Sequence, residues 1–206
     1  PAVENSVSGN SIRPLDVVKT RKGITVEIND TDAEGRLILC DALADADTQK
    51  PDLMIDMATL TGAARVALGP DVPALFANDD ESADNLLRHA RAEGDPLWRL
   101  PLWKPYRRML DSKVADIANC EPGSFGGAIT AALYMAEFVS EKTKWLHIDT
   151  YGWTSGLGAG RPEGGEPLGI RALFAFIDEW AKRGSKSPLL PGRAAPRPAR
   201  VRSEEH

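Results

Sequence analysis

Asp30-Thr31-Asp32-Ala33-Glu34-Gly35-Arg36-Leu37 decides how the rest of this 206-residue chain is read. Two carboxylates stand two residues apart, a glycine and an arginine follow, and a long apolar run begins. In an α-helix Asp32 and Glu34 would lie about 200° apart, whereas in an extended segment residues i and i+2 point the same way. A helix that starts only here lets both carboxylates converge on one spot just ahead of it. Arg36 then falls in the first turn, where the helix macrodipole disfavours a cation. That placement suits a nearby anion, because helix starts bind anions readily. Carboxylates beside such an arginine suit a hard divalent metal with an acidic or carbonyl ligand. The same residues also spell a capping box, with Thr31 as N-cap, Glu34 at N3, and Asp30 and Asp32 favouring the positive helix end. Spacing leaves both readings standing.

Around this stretch the elements alternate. Ile24–Ile28 alternates apolar and polar residues as a half-buried strand does. Glu34–Ala46 is a helix, apolar nearly all round and so buried between layers, and Leu53–Ala58 is a short apolar strand. Strand, helix and strand in this order imply a βαβ unit and an α/β fold, its largely parallel sheet covered on both faces. Further along, the pattern predicts a strand over Pro73–Ala77, a helix over Ser82–Ala92 with Ser82 as N-cap, and an extended proline-rich edge over Pro96–Pro105. A strand over Val114–Ile117, a helix over Ala128–Ser140, a strand over Trp145–Asp149, a glycine-rich loop over Tyr151–Gly169 and an amphipathic helix over Ile170–Lys182 follow. Residues 184–206 are rich in proline and arginine without apolar periodicity and read as a disordered basic tail. The expected organisation is therefore one domain over 1–183 and a tail over 184–206. No internal repeat is apparent.

The composition, 42% hydrophobic and 27% charged, is that of a globular domain. No run approaches the 18 apolar residues of a membrane span, so no membrane partner is expected. The segment from Lys182 onward holds seven Lys or Arg and two Glu, a charge of +5. The preceding body therefore carries −10 of the total −5. An acidic body argues against nucleic acid as the main partner. Cys40 and Cys120 lie in apolar contexts and read as buried free thiols of a reducing compartment, the cytoplasm.

Asp30–Leu37 resembles the signature octapeptide of the leucyl (cytosol) aminopeptidase family, matching seven of eight positions with Asp30 in place of asparagine. Pro1–Asn5, Arg13–Val18, Ala58–Ala63, Gly126–Leu133 and Trp145–Asp149 resemble other segments of that family, so the likeness runs over about residues 1–183. It implies a three-layer αβα arrangement with a mixed, largely parallel central sheet, here the C-terminal part of the family's catalytic domain. It further implies a hydrolase that removes the N-terminal residue of peptides through two divalent metal ions, zinc or manganese. By resemblance Asp32 and Glu34 are metal ligands, Glu34 bridging both ions, and Arg36 holds a small anion, bicarbonate, that shuttles a proton. Thr59, Leu60 and Gly62 resemble the segment that positions the substrate's first residue, and Tyr151 stands where many members have a small pocket-lining residue. The family assembles as a hexamer. A metal-binding lysine, two metal-binding aspartates and a catalytic lysine belong upstream in the family, and the chain begins after them. Asp32 and Glu34 offer too few oxygens to fix two ions, so the chain by itself is expected to be inactive. The alternative is a non-catalytic fragment or scaffold with the same fold.

Other residues invite chemistry less strongly. His147 and Asp149 share a strand face and form either an internal pair or, less readily, a ligand pair. Asp56 in an apolar run fits a buried, hydrogen-bonded carboxylate. Gly123–Gly127 lacks the Lys-Ser/Thr of a phosphate-binding loop and reads as a plain helix start.

Overall fold

The computed structural model describes residues 8–123, 125–156 and 160–183. The tail expected over 184–206 and the resemblance at Pro1–Asn5 lie outside the described residues. The first strands, β1 (Val17–Lys19) and β2 (Thr25–Glu27), form an antiparallel hairpin whose turn uses Gly23 at φ 90°, a conformation that glycine adopts without steric cost. On its other side β2 takes β6 (Ile117–Ala118) in parallel. A second sheet runs β3 (Leu53–Ala58), β7 (Lys144–Asp149), β4 (Ala74–Ala77), β5 (Trp98–Arg99). Its outer pairs are parallel and its central pair, β7 with β4, is antiparallel. The sheets are thus mixed, as expected.

One expectation is corrected. The strands flanking the long helix α1 (Glu34–Asp47) sit in separate sheets, so strand, helix and strand do not build a βαβ unit within one sheet. The reason is edge occupancy: β2 has a partner on each side, and β3 pairs instead with the buried strand β7.

Side chains alternate across the second sheet as the pleat requires, and each face collects its own core. Trp145 and Met54 pack with Leu39 and Leu43 of α1, Tyr134 of α4 (Gly127–Ala136) and Phe138 just beyond it. Leu146 and Ile148 face the other way, onto Leu86 and Ala90 of α3 (Asp80–Ala92) and Leu173 and Phe176 of α5 (Ile170–Arg183). The short α2 (Gly62–Leu68) joins the α4 side through Ala64. Helices on both faces of a sheet make the three layers. His147 is buried between the rings of Phe76 and Trp145 and bonds Asp56 at 2.6 Å, while Asp56 also accepts from the Trp145 indole at 2.7 Å. Asp56 is therefore the hydrogen-bonded buried carboxylate its context predicts, and the partner of His147 is Asp56, not Asp149.

Local boundaries differ for local reasons. Helix α3 is capped by Asp79, whose carboxylate accepts the Ser82 N–H and hydroxyl, so Ser82 is inside the helix rather than its cap. The proline-rich stretch yields only β5 before a 3₁₀ helix over Lys104–Leu110 with Pro105 in its first turn, where a missing N–H is tolerated. The Ser112 hydroxyl accepts from Val114 and Ala115 N–H groups, which holds 112–115 in a turn and delays the strand to Ile117. The glycine-rich loop contains a small hairpin, β8 (Trp153–Thr154) with β9 (Gly164–Gly165).

Candidate functional site

The octapeptide adopts neither geometry that its spacing allows. Asp30, extended at φ −137° and ψ 122°, accepts the Asp32 N–H through its own carboxylate at 2.9 Å and caps a 3₁₀ turn over Thr31–Ala33. Helical geometry therefore begins at Thr31, and α1 takes over at Glu34 with Ala33 as an N-cap that offers no side-chain bond. Asp30 is the cap, so the Thr31–Glu34 capping box does not form. Nor are Asp32 and Glu34 extended neighbours: Asp32 sits in the turn and Glu34 opens the helix, both exposed. Asp32 lines a cavity of about 220 Å³ together with Asp30, Arg36, Leu60, Gly62 and Glu121, and Glu34 does not line it.

Arg36 is the buried member of the octapeptide, 7% exposed, and donates to the carbonyl of Asn119 at 2.7 Å. Burial pushes its guanidinium below the ordinary value, opposed first by Glu121. Among the described residues it forms no ion pair. A buried cation without an ion pair is costly, and Glu121 and Asp149 offset part of that cost through space.

Two side chains that sequence reasoning did not assign set the site. Asn119, fully buried just after β6, accepts from the Asn29 N–H (2.8 Å) and Asp30 N–H (3.2 Å) and donates to the Asp30 carbonyl (2.6 Å). It clamps the approach to the octapeptide and presents its own carbonyl to Arg36. Asp149, at the end of β7, accepts from the N–H groups of Leu60 (2.9 Å) and Thr61 (3.1 Å) and from the Thr61 hydroxyl (2.6 Å). Burial raises its carboxyl above the ordinary value, against the lowering effect of Thr61. Thr61 in turn caps α2 by accepting the Ala64 N–H. The signal for Asp149 was a lone acid ending an apolar strand; for Asn119 it was an amide following Ile117-Ala118, too short a run to stand out.

The turn Thr59–Gly62 separates two hollows. Leu60 and Gly62 face the acidic cavity, whereas Thr59, Gly62, Asp149 and Tyr151 line a second cavity of about 320 Å³. Of the predicted residues, Asp32, Arg36, Leu60 and Gly62 are brought to one cavity, Thr59 to its neighbour, and Glu34 to neither. The closeness depends on glycine at 127: a Cβ there would stand 3.2 Å from Ala63 and 3.3 Å from Glu121. Gly126, at φ 71°, opens α4 as the plain helix start expected. Cys40 is buried and free as expected, its thiol pushed up to about 12 by burial. Cys120 departs from expectation, since it is only half-buried and lines the acidic cavity.

Among the described residues no three His, Cys, Asp or Glu side chains are grouped as a metal site needs. Asp32 lines the cavity with Asp30, Cys120 and Glu121 but without Glu34, and these donors do not by themselves fit a two-metal centre.

Fold and site together define a three-layer α/β domain with an acidic, arginine-backed cavity at strand ends, where ligands bind in such sheets. A sequence model of the cytosol aminopeptidase family, catalytic domain, matches residues 1–174, and the chain belongs to that family. A probable cytosol aminopeptidase of Prochlorococcus marinus (strain MIT 9312) is 47% identical over 178 residues, covering 85% of this chain and 36% of that relative. The crystal structure of the cytosol aminopeptidase from Coxiella burnetii superposes with a TM-score of 0.83 at 52% identity, over 86% of this chain and 39% of that one. The bottromycin maturation enzyme BotP, solved in complex with Mn, gives a TM-score of 0.77 at 39% identity, over 82% of this chain and 38% of BotP. The chain thus spans little more than a third of the length of these relatives. No helix among the described residues is long and apolar enough to cross a membrane.

Proposed function

We propose that this chain carries part of the centre of a metallo-aminopeptidase that hydrolyses the N-terminal residue of peptides. In this reading Asp32 and Glu34 are ligands to two divalent ions, zinc or manganese, and side chains outside this chain complete the centre. The observation that carries it is the single cavity shared by Asp32, Arg36 and the Leu60–Gly62 turn. Metal ions held by Asp32 and Glu34 together with donors outside this chain would supply Lewis-acid polarisation of the scissile carbonyl and an acidified water. The chain's own residues hold and orient. Arg36 binds a small anion, bicarbonate, and keeps it against the cavity wall. Asn119 and Asp149 fix the two turns, so that Thr59, Leu60 and Gly62 position the substrate's first residue. The manganese of the BotP structure supports the choice of metal. Cytoplasmic residence and hexameric assembly go with the same reading.

The test is hydrolysis of a leucine chromogenic amide with added manganese. The chain alone is expected to be inactive, and supplying the remainder of a relative's chain is expected to restore turnover. Robust turnover by the chain alone overturns the shared centre, and full activity of the complemented Asp32→Asn, Glu34→Gln variant overturns the ligand roles. A second reading, a non-catalytic fragment or scaffold with the aminopeptidase fold, is favoured by the lack of any cluster of three metal-ligating side chains among the described residues. Two ions per chain retained after dialysis decide against it.

A further inference from the structure

The second cavity, on the far side of the Thr59–Gly62 turn, has a chemistry of its own. Four positions of α2 and its end line it, Gly62, Ala64, Arg65 and Gly69, and of these Arg65 alone carries a polar side chain. Arg65 therefore supplies what that face presents. Its guanidinium lies 4.5 Å from the centre of the Tyr151 ring, a stacking that orients a planar cation while leaving its edge donors available. Among the described residues Arg65 forms no ion pair. Thr150, beside Tyr151, also lines the cavity, and its hydroxyl is buried with no hydrogen-bond partner among the described residues, a state that costs free energy.

Asp149 is the carboxylate that lines this cavity, and the three hydrogen bonds that it accepts weaken, without cancelling, its repulsion of an anion. It accepts two backbone N–H groups and the Thr61 hydroxyl, and it is 2% exposed. A solvent-exposed cation braced on an aromatic ring remains as the cavity's unpaired charge among the described residues.

We infer that the Arg65–Thr150–Tyr151 cavity receives a carboxylate of the peptide substrate, with Arg65 as the specificity-determining residue. This rests on the aminopeptidase reading for the word substrate, though not for the binding chemistry. A peptide offers that carboxylate either as an N-terminal aspartate or glutamate side chain or as the C-terminus of a short peptide. Arg65 forms charge-assisted, forked hydrogen bonds to it.

The experiment is a titration of the isotope-labelled chain followed by NMR at the Arg65 Nε–H and the Gly69 amide, which needs no hydrolysis. Glu-Gly amide carries only the side-chain carboxylate, Leu-Gly only the C-terminal one, and Leu-Gly amide and Gln-Gly amide carry neither. Saturable shifts with one or both carboxylate peptides and none with the neutral amides are expected, and the responding peptide identifies the source. R65Q is expected to weaken that binding by roughly 10- to 100-fold, with R65K recovering part of it. Equal binding of Gln-Gly amide and Glu-Gly amide, or carboxylate binding that R65Q leaves intact, overturns the proposal. So does the absence of shifts with every peptide. Failure of the complemented chain to hydrolyse any peptide would count against the aminopeptidase reading, while the titration still decides the carboxylate site.

Discussion

Arg36 and Asp149 are the two buried charges on which the site turns, and they make opposite demands. Arg36 has the Asn119 carbonyl as its hydrogen-bond partner and no ion pair among the described residues, so an anion entering the cavity relieves its isolation. Bicarbonate or sulfate is therefore expected to raise the thermal midpoint of the chain, and Arg36→Met to abolish that increment, as differential scanning fluorimetry reads directly. Cys120 reports the same event, because it lines the cavity and Arg36 partly offsets the upward pull of burial on its thiol. Alkylation of Cys120 is expected to slow when anion is added, while the buried Cys40 stays unreactive; equal rates with and without anion would argue that Arg36 binds nothing there. Asp149 behaves differently. Burial raises its carboxyl, so the folded chain holds that proton more tightly than the unfolded chain. Its contribution to stability is complete below the ordinary aspartate value, about pH 4, and is lost as pH rises through the raised folded value. Urea unfolding of Asp149→Asn across that range is expected to show a flatter pH dependence than the parent chain.

Helix ends carry the next level of detail. Asp79 closes α3 by accepting both the N–H and the hydroxyl of Ser82, and Lys144 lies 3.2 Å from it. Burial pulls its carboxyl upward, but Ser82 and Lys144 outweigh that and leave it below the ordinary value. The cap's contribution is therefore present above the ordinary aspartate value and is lost as pH falls through the depressed folded one. Asp79→Ala is expected to cost about 1 kcal/mol, up to about 2, measured by urea denaturation near neutral pH; an unchanged midpoint would mean that water replaces the cap. Element existence was legible in the residues wherever apolar runs were long: α1, β3, β7 and α5 stand within about two residues of their expected bounds. Caps were less legible, because Asp79 and Asp30 each stand immediately before another residue able to cap, and only backbone geometry chooses between them.

At the scale of the molecule, α5 presents Ile170, Phe174 and Ile177 to solvent, spaced four and three residues apart and thus on one face. Met57, on β3 at the edge of the sheet, is exposed as well. An apolar stripe and, among the described residues, an unpaired strand edge invite association. Self-association is expected at micromolar concentration by sedimentation velocity, and Phe174→Glu is expected to raise the monomer fraction. A wild-type chain that sediments as a monomer throughout would remove this expectation.

Local pattern by itself determined the alternation of strands and helices and the presence of an acidic-arginine motif at a helix start. These follow from side-chain periodicity and residue type, which act over a few neighbouring positions. Helix α1, by contrast, although apolar nearly all round, buries one face only, through Leu39, Cys40 and Leu43. Tertiary structure alone decided that β2 and β3 belong to different sheets, that Asp30 rather than Thr31 caps the motif, and that Asp32 lines the cavity while Glu34 does not. It also recruited Asn119 and Asp149, each about 90 residues along the chain from the turn it clamps. Hydrogen bonds over that separation exist only once sheets and helices have packed, and no spacing rule within a short window can announce them.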